Sequence, residues 1–245
     1  MLPINLPKKP NIQGFWKLEE ANANRIDQSA NANTLTDNNT VDRIAAKIGY
    51  GANLVKANSE YLSRAVAGCV GINNSTFTIT GWIKHATGTL EALISGSSAG
   101  NRQIQIETDN KLTLAKQGVT TVGTSTDAIG NNVLTHFGVS YDGTNWAFYV
   151  GGAPSGSGTN AQTLVYGDFY VGRQATTYIN AVVDELIVWN VILTPAEVLQ
   201  VKNISNYSYG GLLPFFMSMR EAYDNNKKLW TPKGLILPKD LGFQM

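Results

Sequence analysis

Cysteine is nearly absent from this chain of 245 residues: Cys69 stands alone, so no intrachain disulfide can form and a secreted origin gains no support from redox chemistry. Flanked by Gly68 and Val70, it reads as a small buried thiol rather than a reactive one. Histidine is almost as scarce, and neither His85 nor His136 stands at zinc-ligand spacing from another His or Cys. Charge is low and balanced, with 19 Lys+Arg against 18 Asp+Glu at 15% of the chain, which argues against a phosphate-seeking surface and hence against nucleic acid as a partner. No apolar run approaches the ~20 residues that span a bilayer, so membrane insertion is not expected. Walker and dinucleotide glycine patterns are missing. The two Ser-containing glycine stretches, Gly96–Gly100 and Gly152–Gly156, are loop sequences rather than nucleophile elbows on strand-to-helix turns.

What is present is Asn, Thr, Ser and Gly at most polar positions, a composition that suits turns and strand faces of an extracellular or virion protein. A chain of this length fits a single large β-sandwich. Short strands are expected near 45–48, 61–64, 77–84, 91–95, 102–108, 111–116, 136–141, 146–150, 164–171 and 178–189, with almost no helical periodicity between them. Residues 20–40 hold six asparagines and read as loop with at most one short strand. Asp109-Asn110 and Asp142–Asn145 sit where tight hairpin turns are needed, and the second hairpin sets Phe137, Val139 and Tyr141 against Trp146, Phe148 and Val150.

The stretch Ala181–Lys202 is the most informative. Val182, Asp184, Leu186 and Val188 alternate with Val183, Glu185, Ile187 and Trp189, so both faces of this strand are apolar and both need cover. Thr194, Pro195 and Glu197 then take the N-cap, first and third positions of a helix of about two turns ending near Asn203.

Val183-Asp184-Glu185-Leu186-Ile187-Val188-Trp189-Asn190 and Leu193–Val198, with Phe15–Glu19, Phe77–Lys84 and Thr135–Gly143 before them, resemble in order the strands of laminin-G-like jelly-roll domains of the concanavalin A-like lectin/glucanase superfamily. The resemblance covers about residues 12–205. It implies an all-β, antiparallel two-sheet jelly-roll sandwich (concanavalin A-like) with one short helix near 195–203, an N-terminal arm over 1–11 and a C-terminal arm over 207–245. The laminarinase-like enzymes of the superfamily carry Glu-x-Asp-x-x-Glu on one strand face; here only Asp184 and Glu185 occur, on opposite faces under strict alternation. Retaining hydrolysis needs two carboxyls about 5–5.5 Å apart, which adjacent strand residues do not provide. A non-enzymatic protein is therefore expected.

The resemblance also implies a structural calcium ion, for which Asp184, Asp27 and Glu19 are the candidates; the alternative is that Asp184 accepts structural hydrogen bonds. His136 stands at the family's Thr-His position, where a structural hydrogen bond is expected. For glycans the candidates are Tyr166, Tyr170 and Tyr178, whose rings could stack on sugars, with Asn101 and Arg102 in loops.

Pro3, Pro7 and Pro10 make the first ten residues an extended arm without the apolar run of a signal peptide. The last forty carry Trp230, Leu235, Ile236, Leu237 and Phe243 among prolines and lysines, residues that would need cover from this sandwich or a neighbouring subunit. Together these features point to a virion structural or adhesion protein, such as a bacteriophage capsid-decoration, fibre or tail component, made in a host cytoplasm. Its expected partners are other virion subunits, copies of itself and cell-surface glycans. A free extracellular carbohydrate-binding module is the alternative, and a glycoside hydrolase or lyase the second.

Overall fold

A computed structural model describes residues 2–85, 89–164 and 167–204. In chain order the strands are β1 (Ile12–Trp16), β2 (Thr36–Asn38), β3 (Asp42–Ala45), β4 (Tyr50–Leu54), β5 (Tyr61–Arg64), β6 (Phe77–His85), β7 (Glu91–Ser95), β8 (Arg102–Ile106), β9 (Lys111–Lys116), β10 (Thr120–Ala128), β11 (Thr135–Tyr141), β12 (Asn145–Val150), β13 (Ala153–Thr159), β14 (Phe169–Val171), β15 (Arg173–Gln174), β16 (Thr177–Tyr178) and β17 (Ala181–Trp189), followed by helix α1 (Pro195–Lys202). Two antiparallel sheets carry the fold. One runs β13-β12-β11-β6-β17-β4-β3 with β1 added beside β17; the other runs β10-β9-β8-β7-β14-β5-β2. Their facing sides close over a shared core that includes Trp16, Phe77, Ile79, Phe137, Phe148, Ile104 and Phe169. No helix among the described residues is long and apolar enough to cross a membrane.

The β11–β12 hairpin has the register its sequence predicts, Phe137 opposite Val150, Val139 opposite Phe148 and Tyr141 opposite Trp146. Strand β17 is covered on both sides, as its composition requires, but not by simple alternation. Its register against β6 slips between Asp184, opposite Trp82, and Ile187, opposite Thr80, and Glu185 takes φ +52. One extra residue is thereby accommodated as a bulge, which reverses the parity of everything after it. Val183, Leu186 and Val188 face the inter-sheet core, while Ile187 and Trp189 join a second apolar cluster on the outer side.

That second cluster is where the N-terminal residues lie. Leu6 packs with Phe15, Trp189, Leu193, Val198 and Val201 of the outer layer. The Trp189 indole donates to Pro7 O at 3.3 Å, Lys8 Nζ to Ile192 O at 2.9 Å and Gln200 Nε2 to Asn5 O at 3.1 Å. The segment expected as an extended arm thus bends at Lys8 (φ 42) into a short 3-10 turn and lies on this chain's own α1. The residues expected as a C-terminal arm, 207–245, lie outside the described residues.

Helix α1 starts as its sequence demands. The Thr194 hydroxyl accepts from Glu197 N, and the Glu197 carboxylate accepts from Thr194 N, with Pro195 at the first position. Thr194→Ala should lower the free energy of unfolding by about 1 kcal/mol, read from the urea midpoint at unchanged slope.

Three strands carry no strong sequence signal. Strands β2, β10 and β13 are rich in Thr, Ser, Gly and Asn, and each lies at a sheet edge. At the β10 and β13 edges the glycines are required: a Cβ on Gly123 would stand 2.4 Å from Cδ2 of Trp146, and one on Gly158 2.6 Å from its Cζ2. The indole lies across both backbones. The expected strands 164–171 and 178–189 are correspondingly shorter, at Phe169–Val171 and Ala181–Trp189, because the chain between them turns through the β15–β16 hairpin.

Candidate functional site

On the seven-stranded sheet, Leu62 of β5, Phe169 and Val171 of β14 and Ile104 of β8 point into the core. Their neighbours along each strand therefore point outward. This places Tyr61, Ser63 and Tyr170 on one outer face, with Gln103 beside them. The β15–β16 hairpin, turning through Ala175 at φ 50, is tied to this face. Ser95 Oγ donates to Arg173 O, and Gln103 Nε2 donates to Gln174 Oε1 at 2.7 Å.

The hairpin brings Arg173 and Tyr178 over the sheet. Tyr61 meets Tyr170 edge-on with ring centroids 5.8 Å apart and Tyr178 at a tilt at 5.9 Å. The Arg173 guanidinium lies 4.6 Å from the Tyr61 ring centre, 5.1 Å from that of Tyr170 and 6.0 Å from that of Tyr178. Its Nη1 donates to the Tyr61 hydroxyl at 2.7 Å and its Nε to Ala175 O at 2.7 Å. Tyr170 donates to Asp168 Oδ2 at 3.0 Å, and burial raises its hydroxyl above the usual tyrosine value. From the sheet edge, Asn38 Nδ2 donates to Ser63 Oγ at 2.9 Å. All three tyrosines and the arginine are half-buried. The result is a rigid aromatic surface, bordered by amides and hydroxyls, that is still open to solvent.

Tyr170 and Tyr178 are thus brought together as sugar-stacking candidates, and Tyr166 lies outside the described residues. Asn101 and Arg102 do not belong. Both are buried, at 1% and 3% exposure. Asn101 Oδ1 accepts from Ser98 N at 3.0 Å, and Arg102 turns inward, its guanidinium 4.5 Å above the Phe77 ring with Nη2 donating to Ile72 O at 3.3 Å. Their segment opens β8, where the side chains close the end of the core instead of facing water. Tyr61 and Arg173 were not among the sequence candidates. The tyrosine read as one more strand residue, and only the fold-back of the hairpin reveals the arginine.

Two grooves lie elsewhere. One of 480 Å³, between Leu2, Lys9–Ile12 and Gln28–Asn31, has no aromatic lining. The other, of 390 Å³, is lined by Trp146 and Tyr149 with Asp142, Asn145 and Ser157–Thr159. Tyr149 is only 4% exposed there, and Trp146 is half-buried with its ring packed on Gly123 and Gly158, so this groove offers one partly open ring where the other face gathers three.

The acidic strand is a separate arrangement on the other sheet. Asp184 Oδ2 accepts from Lys47 N at 2.8 Å and Ile48 N at 3.1 Å, as the hydrogen-bonding alternative expected. Asp184 Oδ1 and both Glu185 oxygens have no partner, although the residues are only 0% and 3% exposed. Burial pushes Asp184 up to about 7; burial and the neighbouring Asp184 push Glu185 up to about 10. Glu19 contributes charge to both and reaches the β3–β4 turn, where a Cβ on Gly49 (φ +70) would stand 2.5 Å from its Oε1.

For a hard cation, the orphaned oxygens of Asp184 and Glu185 are the donors in favour. Asp27 is not one of them. Its Oδ1 accepts from Phe15 N and Ser29 N, and its Oδ2 from Ser29 Oγ and Asn33 N, all within 2.6–2.9 Å. Asp27 therefore folds the 27–33 turn against β1 and leaves the expected set. Among the described residues no three His, Cys, Asp or Glu side chains converge on a common metal position. As arranged, the set Asp184, Asp27 and Glu19 does not fit calcium, and burial favours the protonated form of Asp184 and, more strongly, of Glu185.

His136 is also buried, at 1% exposure, but neither ring nitrogen finds a hydrogen bond. It packs edge-on to Trp82 at 5.3 Å, and burial pushes its imidazole down to about 3. Its place is structural, though not through the hydrogen bond its sequence position suggests.

Two antiparallel sheets packed face to face define a lectin/glucanase-like β-sandwich. The family model described as the concanavalin A-like lectin/glucanases superfamily matches residues 57–199, more than half the chain, and the chain belongs to that family. Among curated proteins none matches by sequence. Similar solved structures include domain 4 of the arabinanase AbnA of Geobacillus stearothermophilus in complex with arabinotriose (18% identity, TM-score 0.63, covering 79% of this chain and 98% of that one). The binding domain of Paraclostridial Mosquitocidal Protein 1 is similar at 15% identity and TM-score 0.64, covering 80% of this chain and 52% of that one. Trypanosoma rangeli sialidase in complex with sialic acid is similar at 14% identity and TM-score 0.59, covering 79% of this chain and 33% of that one. The match spans nearly all of the arabinanase domain but only about half and a third of the other two. At these identities the likeness is one of fold.

Proposed function

We propose that this protein is a non-enzymatic glycan-binding module whose ligand lies across Tyr61, Tyr170 and Tyr178. The observation that carries the proposal is the clustering of three half-buried tyrosines, locked by Arg173 and ringed by amides, on one open sheet face. Tyrosine rings offer flat apolar surface to a sugar at low entropic cost, while neighbouring amides and hydroxyls address its oxygens. The arabinotriose-bound arabinanase domain supports a carbohydrate ligand by analogy of fold. A non-catalytic role is supported by the sealing of Asp184 and Glu185 away from solvent.

The virion setting read from the sequence drew on both ends of the chain. Residues 2–11 lie on this chain's own α1 and no longer support that setting, which keeps the composition of 207–245, the expectation of no leader and the lack of a catalytic constellation as its grounds. A free extracellular carbohydrate-binding module needs neither end and is the reading we favour.

Tyr178→Ala should lower affinity for the tightest ligand found on a glycan array at least tenfold, with the thermal midpoint unchanged within a few degrees. Unchanged affinity in Tyr178→Ala and in Tyr61→Ala, both folded, would remove this face as the binding site.

A further inference from the structure

Given a glycan site on this face, we infer that it selects acidic sugars, with Arg173 receiving the sugar carboxylate.

The inference starts from an uncompensated charge. Among the described residues the ion pairs are Lys8–Glu197, Arg25–Asp37, Lys56–Glu91 and Lys111–Asp109, and Arg173 is in none of them. Asp168, the acid bonded to Tyr170, has both oxygens engaged: Oδ1 accepts from Val66 N at 2.8 Å and Oδ2 from the Tyr170 hydroxyl at 3.0 Å. Arg173 uses Nη1 on Tyr61 and Nε on Ala175 O, and its Nη2 has no protein partner among the described residues. The guanidinium is half-buried and so partly reachable from solvent.

Its direction is fixed as well. Three tyrosine rings within 6.0 Å and two hydrogen bonds hold the group, so its position is established before any ligand arrives. A pre-organised guanidinium loses little entropy on binding, and its remaining N–H groups match a carboxylate better than a neutral hydroxyl. A neutral sugar would leave this charge partly desolvated with nothing to meet it. A cationic ligand would be repelled. Gln174 and Asn38, both half-buried, remain to address the uncharged oxygens of the same residue or its neighbour, while Gln103, at 2% exposure, lies beneath and holds Gln174.

The test measures binding of the full chain by calorimetry to two matched pairs: trigalacturonate with its methyl ester, and 3′-sialyllactose with lactose. The first pair presents a uronic carboxylate and the second a sialic one. The expected result is at least a tenfold preference for the acidic member of one pair, weakening as NaCl rises from 50 to 500 mM. In folded Arg173→Gln the preference falls to less than twofold while residual binding to the neutral member persists. Arg173→Lys, which keeps the charge but not the fork, recovers only part of the preference. Equal binding of acidic and neutral members by the wild-type chain would overturn the acidic class while leaving the glycan site standing. An acidic preference that survives Arg173→Gln would overturn the role of Arg173. No binding to any array glycan, acidic or neutral, would instead overturn the glycan-binding proposal itself.

Discussion

Replacing Glu185 by glutamine raises the free energy of unfolding by about 2–4 kcal/mol at pH 8 and changes it little at pH 4. The cause is a buried carboxyl with no partner. In the unfolded chain Glu185 releases its proton near the ordinary value of 4.5, whereas in the folded sandwich burial and the neighbouring Asp184 hold it protonated up to about 10. Asp184 behaves alike, from 3.8 up to about 7. For acids raised in this way the sign runs opposite to a salt-bridged carboxylate. Below about pH 4 both states are protonated and nothing is lost. As pH rises from about 4 toward 7 only the unfolded chain gains by ionising at either site, and from 7 toward 10 this remains so at Glu185, so the wild-type fold weakens. Glutamine has no proton to release, so the variant escapes this loss. Chemical denaturation of both proteins at pH 4, 6 and 8 checks it. The same titration in 5 mM calcium supplies the contrary case. A calcium-dependent gain in the wild type that disappears in Glu185→Gln would show that the orphaned oxygens serve a cation rather than protons.

Arg25→Met destabilises the fold by about 3–5 kcal/mol, the cost of breaking a buried pair from one side. Arg25 is fully buried; it donates to Ala23 O and, at 2.7 Å, to Val41 O, and stands 3.6 Å from Asp37 Oδ2. Methionine fills the volume but removes the cation beside Asp37, whose Oδ1 keeps only the Val41 N–H, and takes the guanidinium donors from Ala23 O and from Val41 O, which retains Asn22 N. These contacts hold the asparagine-rich 20–41 segment, whose strand β2 borders the tyrosine face and supplies Asn38 to it. The double variant Arg25→Met/Asp37→Asn should recover at least 1 kcal/mol of the loss, because it removes the stranded charge. Urea unfolding of Arg25→Met, Asp37→Asn and the double variant is the check, and additive losses would show that the pair is not coupled.

The sequence made the inner layers legible and the edges not. Strands such as Phe77–His85 and Thr135–Tyr141 show their core face by period-2 spacing, and the Thr194-Pro195-Glu197 start fixes α1 within a residue. Strands β10 and β13 escaped because an edge strand with glycines beneath an indole has almost no apolar pattern to read. The bulge at Glu185 escaped for a different reason. Nothing in Asp184-Glu185-Leu186 signals a left-handed backbone, so strict alternation set Val183 and Leu186 on opposite faces, whereas both face the core.

The site was half legible. Tyr170 and Tyr178 could be named as exposed aromatics. Their convergence with Tyr61 and Arg173 depends on a hairpin of two-residue strands folding back over β5 and β7, a long-range event without a local signal. The opposite error, naming Asn101 and Arg102, came from reading polar residues next to glycines as loop. Arg102 in fact gives its guanidinium to the Phe77 ring and the Ile72 carbonyl inside.

Chemical-shift mapping of the isotope-labelled chain, titrated with its tightest array glycan, tests the tyrosine face most directly. The largest amide shifts should fall at Tyr61–Arg64, Phe169–Gln174 and Thr177–Tyr178. Shifts confined to the groove at Asp142–Trp146 and Ser157–Thr159, on the other sheet, would contradict the assignment of binding to the tyrosine face.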